Sequence, residues 1–594
     1  MKSIKHNILR ATLGVGLLGV MASCNDSFLE CFPETSITEK VFFNTPADLE
    51  AYTNGLYGNL GSLYDYWDTG TDNTVCKDDQ GIYKMMRGEV SPATADTWGW
   101  GGIRDVNFML ARVGQVTGDQ QSINHFIGLA RLFRAIQYWN KVKAYSDVPW
   151  YSKDLQTTDT DLLYKPQDPR TLVVDSIMAD LDFAVSNMQD GDSKTRVMKP
   201  AALALRARIA LHEGTFRKYH KELNLTDGDK YIKVAEESAK ALMEMGKFSL
   251  FTETVDGYDP YESLFRSQKL TSNPEIILCA DYDKGMGRLH NSHQVGDVYH
   301  GISKSLMEDY LAIKDGKAVP FNTIEGYATK TYKEIFENRD SRLKNTIMWP
   351  GYMKASEIMP HKIDLGAGGY PQSKFVPDTP DQISWGNCYT DLPIFRYAEI
   401  LLIYAEAKAE LGTLTQEDVD KTINVIRERV HLPAAELADW LANIDPVQKK
   451  HYPNVESSQE GAVLEVRRER RVELACEGFR YDDLMRWSCG KLFAELPMGQ
   501  YIPGFGTYDT TGDGKADLAI VATKADAEQY AGINILVYAL EGNTFALTDG
   551  DHGYIYLIAQ KDKFNFVEPK YYYEPIAQDD ITLNENLYQN PFWK

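Results

Sequence analysis

The 594-residue chain has little cysteine, no excess of positive charge and no long apolar run. Its seven cysteines are scattered without a C-x-x-C pair, which argues against a zinc site. Lys and Arg total 63 against 85 Asp and Glu, a formal charge of −22. That balance excludes the basic footprint that nucleic-acid binding needs. After the first two dozen residues no stretch of 18 apolar residues occurs, so the chain is not expected to cross a bilayer as a helix. No G-x-S-x-G elbow, H-E-x-x-H pair or G-x-x-x-x-G-K-[ST] loop is present, and Leu211-His212-Glu213-Gly214 lacks the second His of a zinc motif. Scattered carboxylates could still form a glycosidase pair, but on so acidic a chain they read as solvated charges, and an enzyme is not expected.

Aromatic residues, by contrast, are plentiful: 10 Trp, 35 Tyr and 23 Phe. The N-terminus is also distinctive. Lys2, Lys5 and Arg10 precede an apolar run from Ala11 to Ala22, and small residues stand next to Cys24. Residues 1–23 read as a signal peptide. Val20-Met21-Ala22-Ser23-Cys24 resembles a bacterial lipobox, with Cys24 as the lipidated first residue of the mature chain. Removing the three positive charges of this segment takes the net charge from −22 to −25. An oxidising compartment permits one or two disulfides among the remaining six cysteines, with no pairing readable.

Apolar residues at helical spacing predict helices over 122–145, 169–188, 199–214, 229–245, 394–411 and 416–430. Gly214, Gly246 and Gly412 read as stop signals. Ala-rich contact positions and short connectors suggest tetratricopeptide-like hairpins within about 122–250 and 394–490. Loop-rich insertions fall at about 61–102, 250–390 and 495–570. The expected fold is mainly α: a helical-hairpin scaffold with a large loop-rich portion and few short strands. No linker or compositional break divides residues 24–594, so one domain is expected.

Binding residues concentrate on loops held by a rigid scaffold. Trp and Tyr rings offer flat faces to the C–H side of a neutral sugar, while amides, carboxylates and guanidiniums bond its hydroxyls. The densest candidate set is Tyr66, Trp67, Asp72, Asn73, Arg87, Trp98 and Trp100. Trp98-Gly99-Trp100-Gly101-Gly102 is the expected stacking platform, and Trp349 and Trp385 could face the same site. Trp100 also reads as core. A calcium loop is a further candidate: Asp509, Thr511, Asp513 and Asp517 occupy positions 1, 3, 5 and 9 of an EF-hand-like run. Position 12 is Ile520 rather than a bidentate Glu, and a Gly/Asp turn between strands accounts for the same residues. Seven acids and bases in Arg467–Glu477 stand at spacings that permit helix-surface ion pairs, read here as a structural lock rather than a cationic site.

Several blocks resemble the SusD/RagB family of surface lipoproteins. They are Cys24-Asn25-Asp26-Ser27-Phe28-Leu29-Glu30, Asn54-Gly55-Leu56-Tyr57, Leu132-Phe133-Arg134-Ala135, Pro393-Ile394-Phe395-Arg396-Tyr397-Ala398-Glu399, Arg467 through Trp487, and Pro575-Ile576 through Pro591. Ala577 departs from the pattern, where proline is expected. The resemblance implies a non-enzymatic protein, lipid-anchored at the Bacteroidetes outer membrane and facing the cell exterior. It implies capture of oligosaccharides, or in some branches peptides, for a SusC-like TonB-dependent transporter. It requires no cofactor.

Overall fold

A computed structural model describes residues 42–77, 81–296, 300–355, 357–561 and 564–594. The signal segment and Cys24 lie outside the described residues. Among those described, no helix is long and apolar enough to cross a membrane.

Eight helices carry the scaffold: α1 (Gly101–Leu110), α2 (Gln120–Tyr145), α3 (Arg170–Asn187), α4 (Lys199–Tyr219), α5 (Gly228–Glu244), α6 (Tyr397–Glu410), α7 (Glu460–Glu473) and α8 (Arg480–Arg486). They pack as neighbouring pairs, α2 on α3 and α4 on α5, with α6 bridging α5 and α7. Asp119 caps α2 by accepting the Ser122 amide at 2.7 Å. The apolar core draws on residues from Phe43 to Leu587, so helices and insertions share it.

Three expectations need correction. Helix α4 does not stop at Gly214 but runs on to Tyr219. A β-carbon at Gly214 would lie 2.6 Å from Ile232 Cγ1, 2.7 Å from Ile232 N and 2.9 Å from the Gly228 carbonyl. This glycine is a close-approach residue that lets α4 and α5 touch, not a terminator. Gly214→Ala is therefore expected to lower stability by about 1–3 kcal/mol despite alanine's better helix propensity. A melting temperature at or above wild type would show that the crossing has slack. Residues 394–396 belong to a strand (Leu392–Arg396) paired antiparallel with Ile276–Ala280, and only then does the chain turn helical. Residues 416–430 form two α-helical pieces around a π-helical stretch, Asp420–Asn424.

The insertions contain more order than their composition suggested. Thr74–Cys76 pairs antiparallel with His300–Ile302. Met498–Ile502, Phe545–Leu547 and Gly553–Leu557 form one three-stranded sheet. Gly506–Tyr508, Leu518–Val521 and Leu536–Ala539 form another. Among the described residues Cys76, Cys279, Cys388, Cys476 and Cys489 are buried and not joined by disulfides. Ala577 has φ −58°, close to the angle a proline ring imposes, so the substitution leaves the local backbone undisturbed.

Helix α7 is buried from Gly461 to Glu473, and most of its charged partners lie on other elements rather than along its own surface. Arg471 reaches Asp72 at 3.0 Å and Asp309 at 2.5 Å. Arg467 pairs with Glu410 and Arg470 with Asp483. Glu473 accepts from Arg342, Arg396 and Arg429. Only Arg468 with Glu465 is a pair within the helix. A guanidinium presents five donors in a rigid fork, so one Arg can tie several carboxylates or carbonyls together.

Candidate ligand-binding site

The loop expected to hold one aromatic platform divides into three parts. In the first, Trp98 is only 9% exposed. Its ring meets Trp100 edge-on at 5.4 Å and Tyr145 of α2 at 5.3 Å. Trp100 packs on Tyr151 at 5.2 Å. The Lys141 ammonium sits 4.2 Å from the Trp100 centroid and donates to the Gly99 carbonyl at 2.6 Å. Burial pushes this lysine down to about 8. The Trp98 ring is therefore packed against α2 rather than bared to solvent.

In the second part, Asp72 and Asn73 serve the α7 network. Asp72 accepts from Arg480 Nε at 2.7 Å as well as from Arg471. Asn73 donates to Asp68 at 2.8 Å and accepts from Arg471 Nε at 2.8 Å. Arg87 pairs locally with Glu89 at 2.7 Å.

The third part turns outward. The Tyr66 ring contacts Trp67 at 5.0 Å and His290 at 5.6 Å. Trp67 lies edge-on to His300, and the Tyr64 and Tyr282 hydroxyls are 3.2 Å apart. Tyr282 stands edge-on to His290 at 4.4 Å. The backbone of Asn291 faces the Tyr66 hydroxyl, and the Asn291 side chain accepts the Gly386 amide. That bond brings the chain at Gly386, next to Trp385, beside the cluster. Trp385 is 71% exposed, and its ring lies edge-on to His293 at 6.5 Å. Sequence reasoning did not single out Tyr282, His290, His293 or Tyr389. Their only signal was membership of the 250–390 insertion.

The electrostatics suit an uncharged guest. Burial lowers His290 to about 4, so the ring is neutral at pH 7. Its Nδ1 accepts from Ser292 N at 3.2 Å, and its Nε2 lies 2.9 Å from the Thr390 carbonyl, which assigns the proton to Nε2. On the rim Lys284 and Asp381 pair at 3.0 Å, and Tyr389 donates to Asp381 at 2.9 Å. The Lys284 and Tyr389 hydrogen bonds hold the Asp381 carboxyl below its ordinary value. An exposed indole face, flanked by mutually neutralised charges and by amides, can stack on an apolar ring face and bond hydroxyls at its edge.

The Asp509–Asp517 run folds as a turn closed on itself. Asp517 accepts from the amides of Thr510 (2.9 Å) and Thr511 (2.8 Å) and from the Thr511 hydroxyl (2.8 Å). Asp509 accepts from Gly512 N and Gly514 N, and Asp513 from Lys515 N. Gly512 and Gly514 adopt φ of 78° and 84°, which the turn requires. Among the described residues no group of three or more His, Cys, Asp or Glu side chains is arranged to hold a metal ion. The carboxylates expected to ligate calcium are instead spent on the turn's own donors.

The family model for the SusD family matches residues 271–593. A SusD-like protein P38 from Formosa agariphila is 25% identical over 492 residues, covering 79% of this chain and 89% of that protein. A SusD-like protein from Bacteroides ovatus is 23% identical over 509 residues, covering 79% and 80%. Among solved structures, a SusD-like carbohydrate binding protein from Bacteroides fragilis superposes with a TM-score of 0.64 at 20% identity, covering 92% of this chain and 100% of that one. A laminarin binding SusD-like protein gives a TM-score of 0.52 at 17% identity, covering 92% and 100%. These structural likenesses establish the mainly helical fold.

Proposed function

This chain belongs to the SusD family of binding proteins, which are not enzymes, and on that premise we propose that it captures neutral oligosaccharides at the Trp385 patch. The carrying observation is that Trp385 is the most exposed indole, its ring edge-on to His293, while its neighbour Gly386 is tied by Asn291 to the loop beside the Tyr66, Tyr282 and His290 cluster. Two solved structures of similar fold are named for carbohydrate and laminarin binding, which supports the same ligand class. A sequence charge near −25 after processing opposes polyanionic glycans, because like-charged partners are repelled over several ångströms. In this reading residues 24–594 act as one binding unit, anchored through lipidated Cys24 at the outer face of the outer membrane. The captured oligosaccharide passes to a SusC-like TonB-dependent transporter.

The test is an array of neutral and acidic glycans beside a peptide pool, probed with the intact protein, with chromatography of the ligands after incubation. Retention of neutral glycans, unaltered after incubation, is expected. Retention of peptides alone would replace the reading with peptide capture, and any cleavage would overturn the binding-protein assignment.

A further inference from the structure

Helices α2, α4 and α8 enclose a cavity of about 280 Å³ together with Tyr571–Tyr573, well away from Trp385 in the chain. Its walls include Phe216, Tyr481, Tyr571 and Tyr572, and His212 lines it from α4. Met85, Tyr481 and Glu574 also line a neighbouring cavity of about 620 Å³ among Thr69, Gly70 and Thr94–Thr97. The first cavity, at about 280 Å³, lies at the lower edge of the size usual for small-molecule sites, roughly 300–1,000 Å³, which suits a single ring rather than a chain.

The floor carries an unmet hydrogen-bonding group. His212 is 4% exposed, and its Nδ1 has no partner in the protein. The Nε1 of Trp139, whose ring stands edge-on to His212 at 5.6 Å, is likewise buried and unpartnered. Leaving a buried polar atom without a hydrogen bond is costly, and a ligand hydroxyl would recover that cost. Burial, reinforced by Lys143, Arg170 and Arg486, keeps the imidazole neutral. At the mouth Lys143 and Asp482 pair at 2.8 Å, so neither charge seeks a counter-ion. Tyr572 and Tyr573 are almost fully buried in its wall and commit their hydroxyls to Glu568 and Glu222, so they offer the cavity no free hydroxyl. Aromatic walls, a neutral hydrogen-bonding floor and self-paired rim charges select an uncharged, hydroxyl-bearing ring.

We propose that this cavity is a second saccharide subsite, in which a hydroxyl of one uncharged pyranose ring completes the hydrogen bonding of His212. The proposal rests on the saccharide reading above but not on Trp385. The test titrates intact protein, 15N-labelled in its histidine rings, with the methyl glycosides of glucose, galactose and mannose. The His212 signal is assigned by its loss in His212→Phe, or in His212→Gln if the first variant fails to fold. One glycoside is expected to shift that signal saturably, with a Kd of about 1–10 mM for so small a ligand. Trp385→Ala should leave this Kd within about twofold, and Tyr571→Leu should raise it about fivefold or more. A silent His212 with all three glycosides, while an oligosaccharide still binds through Trp385, would overturn the subsite and spare the proposed function. Equal loss of the shift in Trp385→Ala would also overturn it, since the two sites would then be one.

Discussion

Replacing Glu473 by alanine is expected to leave little or no folded protein. The carboxylate is fully buried and accepts from Arg429 at 2.6 Å, Arg396 at 2.7 Å and Arg342 at 3.0 Å. Those three guanidiniums are themselves buried, and their other partners (Glu275, Glu477, Glu469 and Asp340) are already shared. Removing one member of a buried ion pair costs about 3–5 kcal/mol, because the remaining charge is stranded in a low-dielectric interior. Total stabilities are commonly about 5–15 kcal/mol, so this single change consumes a large share. Glu473→Gln keeps the shape and some acceptor capacity and should lose less, with soluble protein recovered at a lowered denaturant midpoint. Wild-type stability in Glu473→Ala would show that the network contributes specificity rather than stability.

The same carboxylate sets an acid limit. Burial alone would raise Glu473, but Arg429, Arg396 and Arg342 outweigh it and hold the group far below its ordinary value of 4.5. Burial likewise opposes, and Arg471 and Arg480 overcome, the shift of Asp72 below 3.8. A carboxyl lowered on folding stabilises fully above its unfolded value and loses that contribution as pH falls toward the folded one. The stability gap between wild type and Glu473→Gln should therefore be constant from neutral pH to about 5 and shrink below 4.5. Urea midpoints for both proteins across that range measure it. A gap that grows on acidification would contradict the assigned ion pairs.

Trp385→Ala is expected to weaken oligosaccharide binding at least about tenfold while leaving the melting temperature unchanged. Exposed aromatic anchors commonly carry a disproportionate share of recognition energy, and tenfold is about 1.4 kcal/mol. The fold should tolerate the loss because the indole is mostly solvated and its one ring contact is edge-on to His293. Trp98→Ala should behave in the opposite way. Its ring fills space between Trp100 and Tyr145, and truncating a packed Trp costs about 3–5 kcal/mol. Isothermal titration and thermal melts on both variants separate the roles. Unchanged affinity in Trp385→Ala, with a loss in a stably folded Trp98→Ala, would move the site to the loop near residue 98.

Local pattern was enough for the helical scaffold. Apolar spacing over 122–145 and 229–245 places α2 and α5 to within two residues, because amphipathic periodicity is a property of neighbouring positions. The ordered blocks from Asn54-Gly55-Leu56-Tyr57 to Pro591 carried the family, and the charge balance carried the expectation of an uncharged ligand on which the proposal builds. Function was less legible wherever it depends on which distant surfaces meet. Gly214 reads as a terminator until Ile232 is seen against it. Asp72 reads as a loop acid until Arg471, 399 positions away, closes on it. Trp98 and Trp385 are the same residue type in similarly glycine-flanked loops, yet one is wedged against α2 and the other stands in solvent. Burial and charge pairing are sums over contacts made after the chain has folded back on itself, so sequence determines the elements and tertiary structure decides which rings remain free to bind.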